Sequence, residues 1–396
     1  MNYDVVIAGG GPAGACAAAL LAEAGIRVLL LEEKHMPRHK VCGEFITSEG
    51  FPTLERLQVM DRLQRAGAQR LSHLRLVASS GKVIETTISE MSRNREPALS
   101  LSRARLDQIL FDRARERGAE CIEGIAVKRC LYQDDVPTGV EARSLSDGRE
   151  VIFRASLVID ASGRNSRLML RRDERSGGKR GSRLYALKAH LGEVSEITDQ
   201  VELYFFPQGY GGLSRIEDGL VNLCFITNER AIKDAAGNHL EVVNQTIRQN
   251  RLARDRMIEA RVAGKWLTVG PLTFGTRRLS QNGVIALGDA SGMIDPFTGT
   301  GIQIALRTGE MAADAIIENL AESGSRKIES SSERERLQSR VIASYRERYN
   351  REFSKRMKFA GILRNAVFSP SAANHLATLL GSMPWLTRQM LKATRS

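Results

Sequence analysis

Three glycines, one acid and the spacing between them carry the first chemistry in this chain. Gly9, Gly11 and Gly14 stand in Gly9-Gly10-Gly11-Pro12-Ala13-Gly14, directly after the apolar run Val5-Val6-Ile7-Ala8, and Glu32 closes a second apolar run, Val28-Leu29-Leu30-Leu31. Gly9 permits a tight turn, Gly11 lets the backbone approach a pyrophosphate, and Gly14 lets the following helix pack close to the strand. That helix, predicted from about Ala13 to Ala24 with Pro12 at its entrance, points its N-terminus at the phosphates. Glu32, with Glu33 beside it, stands about 20 residues further on, where a carboxylate accepts hydrogen bonds from ribose hydroxyls. FAD or NAD fits this pattern, and NADP does not. The elements that must position these residues are a strand, a glycine turn, a helix and a second strand, the βαβ unit of dinucleotide-binding sheets.

Two further segments repeat the logic of a buried strand that ends in a small acidic turn. The run Leu157-Val158-Ile159-Asp160-Ala161-Ser162-Gly163 is one, and Val284-Ile285-Ala286-Leu287-Gly288-Asp289 is the other. An Asp at a strand end is suited to a ribitol or ribose hydroxyl, and glycines let a flat ring or phosphate come against backbone N–H groups. After Asp289 the chain reads Pro296-Phe297-Thr298-Gly299-Thr300-Gly301-Ile302, and Ala305, Ala312, Ala313, Ile316 and Ile317 then predict a helix from about Ile302 to Leu320.

Together these three elements resemble the FAD-binding domain of the p-hydroxybenzoate hydroxylase superfamily, the group A flavin monooxygenases and their relatives. The resemblance implies a Rossmann-like α/β domain of the glutathione reductase type with FAD as cofactor. It implies ADP at the first fingerprint, Asp160 and Gly163 near the centre of that domain, and the ribityl chain at Gly288 and Asp289. Pro296, Gly299, Thr300, Gly301 and Ile302 would border the isoalloxazine, and Arg103, which opens a helix in Ser102-Arg103-Ala104-Arg105, would meet the pyrophosphate. A simple NAD dehydrogenase has no need of the Gly288-Asp289 element.

The segment after Glu33 points to a branch. Pro37-Arg38-His39-Lys40-Val41-Cys42-Gly43-Glu44 resembles the Pro-Arg-x-Lys-x-Cys-Gly signature of geranylgeranyl reductase-like flavoproteins, and in part the Pro-Arg-x-x-x-Gly-Glu stretch of flavin-dependent halogenases. Arg38 and Lys40 are suited to FAD phosphates or ring carbonyls. The reductase resemblance sets Cys42 and Gly43 beside the isoalloxazine, with Cys42 the candidate catalytic residue. The halogenase Trp-x-Trp-x-Ile-Pro motif has no counterpart, since the two tryptophans, Trp266 and Trp385, are far apart.

Alternating runs such as Val201-Glu-Leu-Tyr-Phe-Phe206 and Leu220-Val-Asn-Leu-Cys-Phe-Ile226 predict an inserted antiparallel sheet that carries the substrate. The expected division is 1–70, 100–175 and 270–330 for the FAD domain, 71–99 and 176–269 for the substrate domain, and 331–396 for a C-terminal helical segment. Phe206 and Tyr210, at the turn Phe206-Pro207-Gln208-Gly209-Tyr210, are candidate substrate contacts. This turn resembles the Gly-Tyr-x-Trp-x-Phe-Pro turn of geranylgeranyl reductases, but Gly212 stands where those have Trp, which puts isoprenoid reduction in doubt.

Charge and composition narrow the partners. Of 396 residues 26% are charged and the net charge is +12, and from Arg336 to Ser396 twelve Lys or Arg face two acids. Within it, Phe359 to Phe368 and Leu376 to Leu391 place apolar residues at helical spacing with Arg or Lys between, which predicts a lid over the substrate domain, with peripheral membrane contact as the second expectation. Nucleic acid is not expected, because neither aromatic interleaving nor a nucleic-acid motif accompanies the charge. No nucleophile elbow, P-loop or metal triad occurs, and five scattered cysteines without C-x-x-C spacing predict reduced thiols in a cytoplasmic protein. The sequence thus predicts an FAD-dependent oxidoreductase acting as a monooxygenase on a hydrophobic natural-product or lipid-like substrate, with O₂ as co-substrate and NAD(P)H as a transient reductant. A flavin-dependent C=C reductase is the main alternative; a halogenase and a flavoprotein without turnover are the remaining ones.

Overall fold

Two apolar runs with no polar interruption form the centre of the molecule. The structure, a computed structural model, describes residues 2–164, 166–169, 183–272, 274–276, 278–293, 296–322 and 330–367. Val5, Val6 and Ile7 are wholly buried, as are Leu29 and Leu30, which is the pattern of parallel strands covered on both faces. Accordingly Val284–Ala286, Glu150–Asp160, Asn2–Ala8, Val28–Glu32 and Glu120–Glu123 lie side by side in that order, each parallel to the next. The fingerprint helix Pro12–Glu23 and the long helix Gly301–Glu322 pack together over one face of this sheet.

The strand Glu150–Asp160 serves two partners. Its second half, from Arg154, runs parallel to Asn2–Ala8, while Glu150–Arg154 pairs antiparallel with Val136–Ser144, which in turn pairs with Ile125–Gln133. Asp160 is thereby delivered to the same sheet edge as Ala8 and Ala286.

A second sheet of seven strands runs Arg261–Val269, Leu184–Gly192, Val221–Asn228, Gly209–Arg215, Gln200–Phe206, His73–Val77, Val83–Thr87. All neighbours are antiparallel except Gln200–Phe206 and His73–Val77, which are parallel and join segments far apart in the chain. Between the strands Val221–Asn228 and Arg261–Val269 the chain forms three short helices, Glu229–Asp234, His239–Gln245 and Arg251–Arg256, which the sequence analysis does not anticipate. They cover one face of the sheet through Val242, Val243 and Ala253 against Tyr204, Phe206 and Phe225. The opposite face looks toward the first sheet.

The C-terminal helix Ser331–Val367 packs through its first half on the parallel sheet and the long helix. Leu337, Val341, Tyr345, Tyr349 and Phe353, spaced by four, are buried, and Tyr345 Oη donates to Ala286 O at 2.9 Å. Gln338 Nε2 donates to Pro137 O at 3.1 Å and to Ser156 O at 3.0 Å. The segments that carry the lid and membrane expectation, 359–368 and 376–391, lie where side chains, and from 368 the chain itself, are outside the described residues. At about 1.5–3 kcal/mol for each buried side chain, deletion from Ser331 onward should abolish folding, whereas deletion after Phe359 should leave the melting transition within a few degrees of the full chain. Differential scanning calorimetry of the two truncations reads the difference. Among the described residues no helix is long and apolar enough to cross a membrane.

Candidate functional site

The ends of the parallel strands, the segment 40–45 and the inner face of the second sheet enclose one continuous cavity. Its lining begins at Gly11, Pro12 and Ala13, passes Lys40, Cys42, Gly43, Arg103, Gly163, Gly288 and Asp289, continues along Pro296, Gly299, Gly301 and Ile302, and ends on Leu74, Leu76, Val201, Leu203, Tyr210 and Ile226. Residues from distant parts of the chain therefore meet in one space.

At the fingerprint end the glycines do what their spacing requires. Gly9 has φ +107°, and a Cβ on Gly14 would stand 2.0 Å from Gly9 O, so no other residue fits between turn and helix. Gly11 instead faces open space toward two guanidiniums, with Arg38 Nη2 3.6 Å and Arg103 Nη2 3.9 Å from where its Cβ would be. Both arginines are anchored on the buried Asp107, Arg103 buried and Arg38 half-buried: Arg38 Nη1 donates to it at 2.9 Å, and Arg103 Nε and Nη2 each donate at 2.7 Å. Arg38 also reaches Glu32, whose carboxylate accepts the Gly10 N–H at 2.8 Å and the Lys34 N–H at 3.0 Å. A helix N-terminus, a bare glycine and two fixed cations gather hydrogen-bond donors and positive charge at this end of the cavity, with Glu32 and Arg38 behind its lining.

Lys40 adds a third positive charge, with its Nζ 3.1 Å from where a Cβ on Gly163 would be. Burial and the neighbouring Arg103 and Arg38 push its ammonium below the ordinary lysine range, opposed by Asp289. An anionic ligand group would relieve that strain. Asp289 stands half-buried in the lining, and Gly288 ahead of it is fixed by its N–H donating to Thr308 Oγ1 on the long helix at 2.9 Å.

Several predicted residues lie outside this lining. The Asp160 carboxylate is committed to its own loop, accepting from the Ser162 N–H at 3.0 Å and from the hydroxyls of Ser162 and Ser166, and burial raises its pKa against those bonds. Glu33 is exposed, and Thr300 is buried with its hydroxyl 2.9 Å from that of Thr298. Phe206 points to the helix-covered face, edge-on to Phe225 with ring centroids 6.5 Å apart. Its neighbour Phe205 faces the other way, 5.8 Å from the ring of Phe297. Asp295, directly before Pro296 in the sequence, lies outside the described residues.

Sequence reading missed a buried polar network that backs Cys42 and Gly43. Glu44, wholly buried at φ +56°, accepts from Lys188 Nζ, from the Arg103 N–H at 2.6 Å, and pairs with His190 Nε2 at 2.8 Å. Burial pushes the Glu44 carboxyl up, but the His190 bond and the Lys188 ammonium outweigh it and hold the group below its ordinary range. Asn222 Nδ2 donates to Cys42 O at 3.2 Å, which ties the same segment to the second sheet. No signal in the sequence links Glu44 to Lys188 and His190, 144 and 146 residues away.

A parallel sheet with this fingerprint, a cation-lined cradle and an apolar sheet face opposite define a flavin-dependent oxidoreductase. Residues 2–343 match the FAD binding domain family, and the chain belongs to it. Among curated proteins it is 28% identical over 394 residues to digeranylgeranylglycerophospholipid reductase 2 of Methanopyrus kandleri, covering 96% of this chain and 90% of the relative. It is 22% identical over 347 residues to the 1H-pyrrole-2-carbonyl-[peptidyl-carrier protein] chlorinase of Pseudomonas fluorescens, covering 80% of this chain and 76% of that one. The fold is shared with pqsL, a probable FAD-dependent monooxygenase from Pseudomonas aeruginosa, at TM-score 0.71, 17% identity and coverage of 94% and 98%. FAD is the cofactor, the chain is an enzyme, and its relatives span reductases, halogenases and monooxygenases.

Proposed function

We propose that this protein is an NAD(P)H-dependent monooxygenase that uses FAD and O₂ to hydroxylate a hydrophobic natural-product or lipid-like molecule held on the inner face of the second sheet. The observation that carries the reading is the continuity of the cavity from Gly11, Arg103 and Lys40 to Leu74, Leu76, Val201, Leu203 and Ile226. Such a ligand is apolar over most of its length, and burying it there excludes water from the reacting centre. In this assignment Arg38, Arg103 and the helix N-terminus hold the pyrophosphate, Glu32 the ribose, Asp289 the ribityl chain, and Pro296 to Ile302 border the ring system, which supplies the redox chemistry when bound. The five thiols are free, in keeping with a cytoplasmic setting.

A C=C reductase is the second reading, favoured by Cys42, which lines the cavity where the two chemistries would meet. Oxygen dependence separates the two. Hydroxylation consumes one O₂ for each NAD(P)H oxidised with product, and ¹⁸O₂ labels that product; reduction proceeds anaerobically and leaves it unlabelled. Product formed without oxygen would overturn the monooxygenase reading.

The ribityl assignment has its own test. Asp289→Ala should weaken FAD binding about ten- to a hundredfold through loss of charge-assisted hydrogen bonds. Asp160→Ala should lower the melting temperature with little effect on FAD affinity, because Asp160 holds its own loop. Equal FAD affinities for Asp289→Ala and the unaltered protein, by fluorescence titration, would contradict the assignment.

A further inference from the structure

In the turn that follows the strand Val284–Ala286, Leu287, Gly288, Ala290 and Ser291 are buried. Asp289 alone keeps part of its surface open, and it lines the cavity. The turn is therefore a mount for one carboxylate, and the contacts at its back decide where that carboxylate stands. One comes from the long helix, where Thr308 Oγ1 accepts the Gly288 N–H at 2.9 Å. A second is internal: the Ser291 N–H and hydroxyl both donate to Gly288 O, at 2.9 and 2.7 Å. The third comes from the C-terminal helix. Along its buried stripe of Leu337, Val341, Tyr345, Tyr349 and Phe353 only the two tyrosines carry a polar side-chain atom, and both hydroxyls approach the Ser291 side chain. Tyr345 Oη donates to Ala286 O at 2.9 Å, directly ahead of the turn, and the two tyrosine rings stand edge-on with centroids 6.3 Å apart. Phenylalanine would fill either place and bury no hydroxyl, so packing alone gives no reason for the two oxygens.

We propose that Tyr345 and Tyr349 are positioning residues for the cofactor: they hold the turn from behind and so fix the Asp289 carboxylate where FAD is bound. This rests on the assignment of Asp289 to the ribityl chain and adds what keeps the carboxylate in place. A hydrogen bond to a ligand hydroxyl is kept only over a narrow range of distance and angle, so the group that makes it must be held within about 0.5 Å of its working place. The C-terminal helix thereby takes part in cofactor binding although none of its described residues lines the cavity.

The test is a double-mutant cycle, read as the dissociation constant of FAD from the full chain by flavin fluorescence, at a temperature where every variant is folded. Tyr345→Phe keeps the ring, removes the hydroxyl and should weaken FAD about threefold to tenfold; Tyr349→Phe gives the same reading should the first variant not fold. In an Asp289→Ala background the same substitution should change FAD affinity less than about twofold, since its effect runs through the carboxylate. Leu337→Ala, two helical turns before Tyr345 on the same stripe, should lower the melting temperature more than either and leave FAD affinity unchanged. Unchanged FAD affinity in both tyrosine variants while Asp289→Ala binds weakly would overturn the proposal alone. An equal loss in both backgrounds, or a loss in Leu337→Ala that follows its stability, would assign the tyrosines to general packing and overturn it as well. An Asp289→Ala variant that binds FAD like the unaltered protein would refute the ribityl assignment and the proposal with it.

Discussion

Glu44→Ala should destabilise the fold by about 3–5 kcal/mol, read as a fall in the urea midpoint with an unchanged slope. Lys188 is 1% exposed and His190 8%, so removing the carboxylate leaves a buried ammonium without its counter-charge and frees the Arg103 N–H as well. The pair itself is not the source of the expected loss; the unpaired partner is. Lys188→Met combined with Glu44→Leu should therefore recover much of the stability that Glu44→Ala loses. The pH dependence has a definite sign. Because the folded state holds the Glu44 carboxyl below its ordinary value, its contribution is complete above about pH 4.3 and is lost as pH falls through the folded-state value. Glu44→Gln should show a shallower loss of stability on the acid side than the unaltered protein. An identical acid limb would place the titration elsewhere.

Gly14→Val should abolish FAD binding altogether. Even a Cβ at this position would stand 2.0 Å from Gly9 O and 3.1 Å from Ala161 Cβ, and backbone cannot yield as a flexible side-chain tip can. The helix Pro12–Glu23 must move off the strand, taking its N-terminus away from Arg38 and Arg103. Gly11→Ala offers the contrast, since its added methyl meets nothing closer than 3.6 Å. That variant should fold normally and lose FAD affinity only through crowding of the cradle. Equilibrium titration of the two variants with FAD, beside their melting curves, separates a broken turn from a narrowed one.

The parts of this site that could be read from sequence are those in which neighbours along the chain act together. Gly9 to Glu32 is one supersecondary unit, so residue spacing alone specifies its geometry, and Gly288-Asp289 at a strand end is similarly local. The helix boundaries differ from expectation by only a residue or two, Pro12–Glu23 and Gly301–Glu322. Where pairing between distant strands decides, the sequence was silent. Phe205 and Phe206 are equally apolar, and only the register with Tyr210 and Gly209 determines which one lies on the inner face of the second sheet, since a shift of one residue reverses every side chain. Phe206 packs edge-on to Phe225 on the helix-covered face, and Phe205 meets Phe297 on the other. Glu44 likewise looked like part of a loop signature until the second sheet brought Lys188 and His190 to it. The short helices at 229–256 were obscured because runs of six or seven residues are too brief to show a helical period.

In the proposed assignment a dinucleotide lies across the fingerprint, with its flavin end toward the second sheet. Competition between FAD and FMN for the apoprotein tests this most directly, because FMN keeps the ring and ribityl groups but lacks the adenosine and its phosphate. Arg38, Arg103, Glu32 and the helix N-terminus then predict one FAD per chain, bound about a hundredfold or more tighter than FMN. Equal affinity for the two, or no uptake of either, would contradict it.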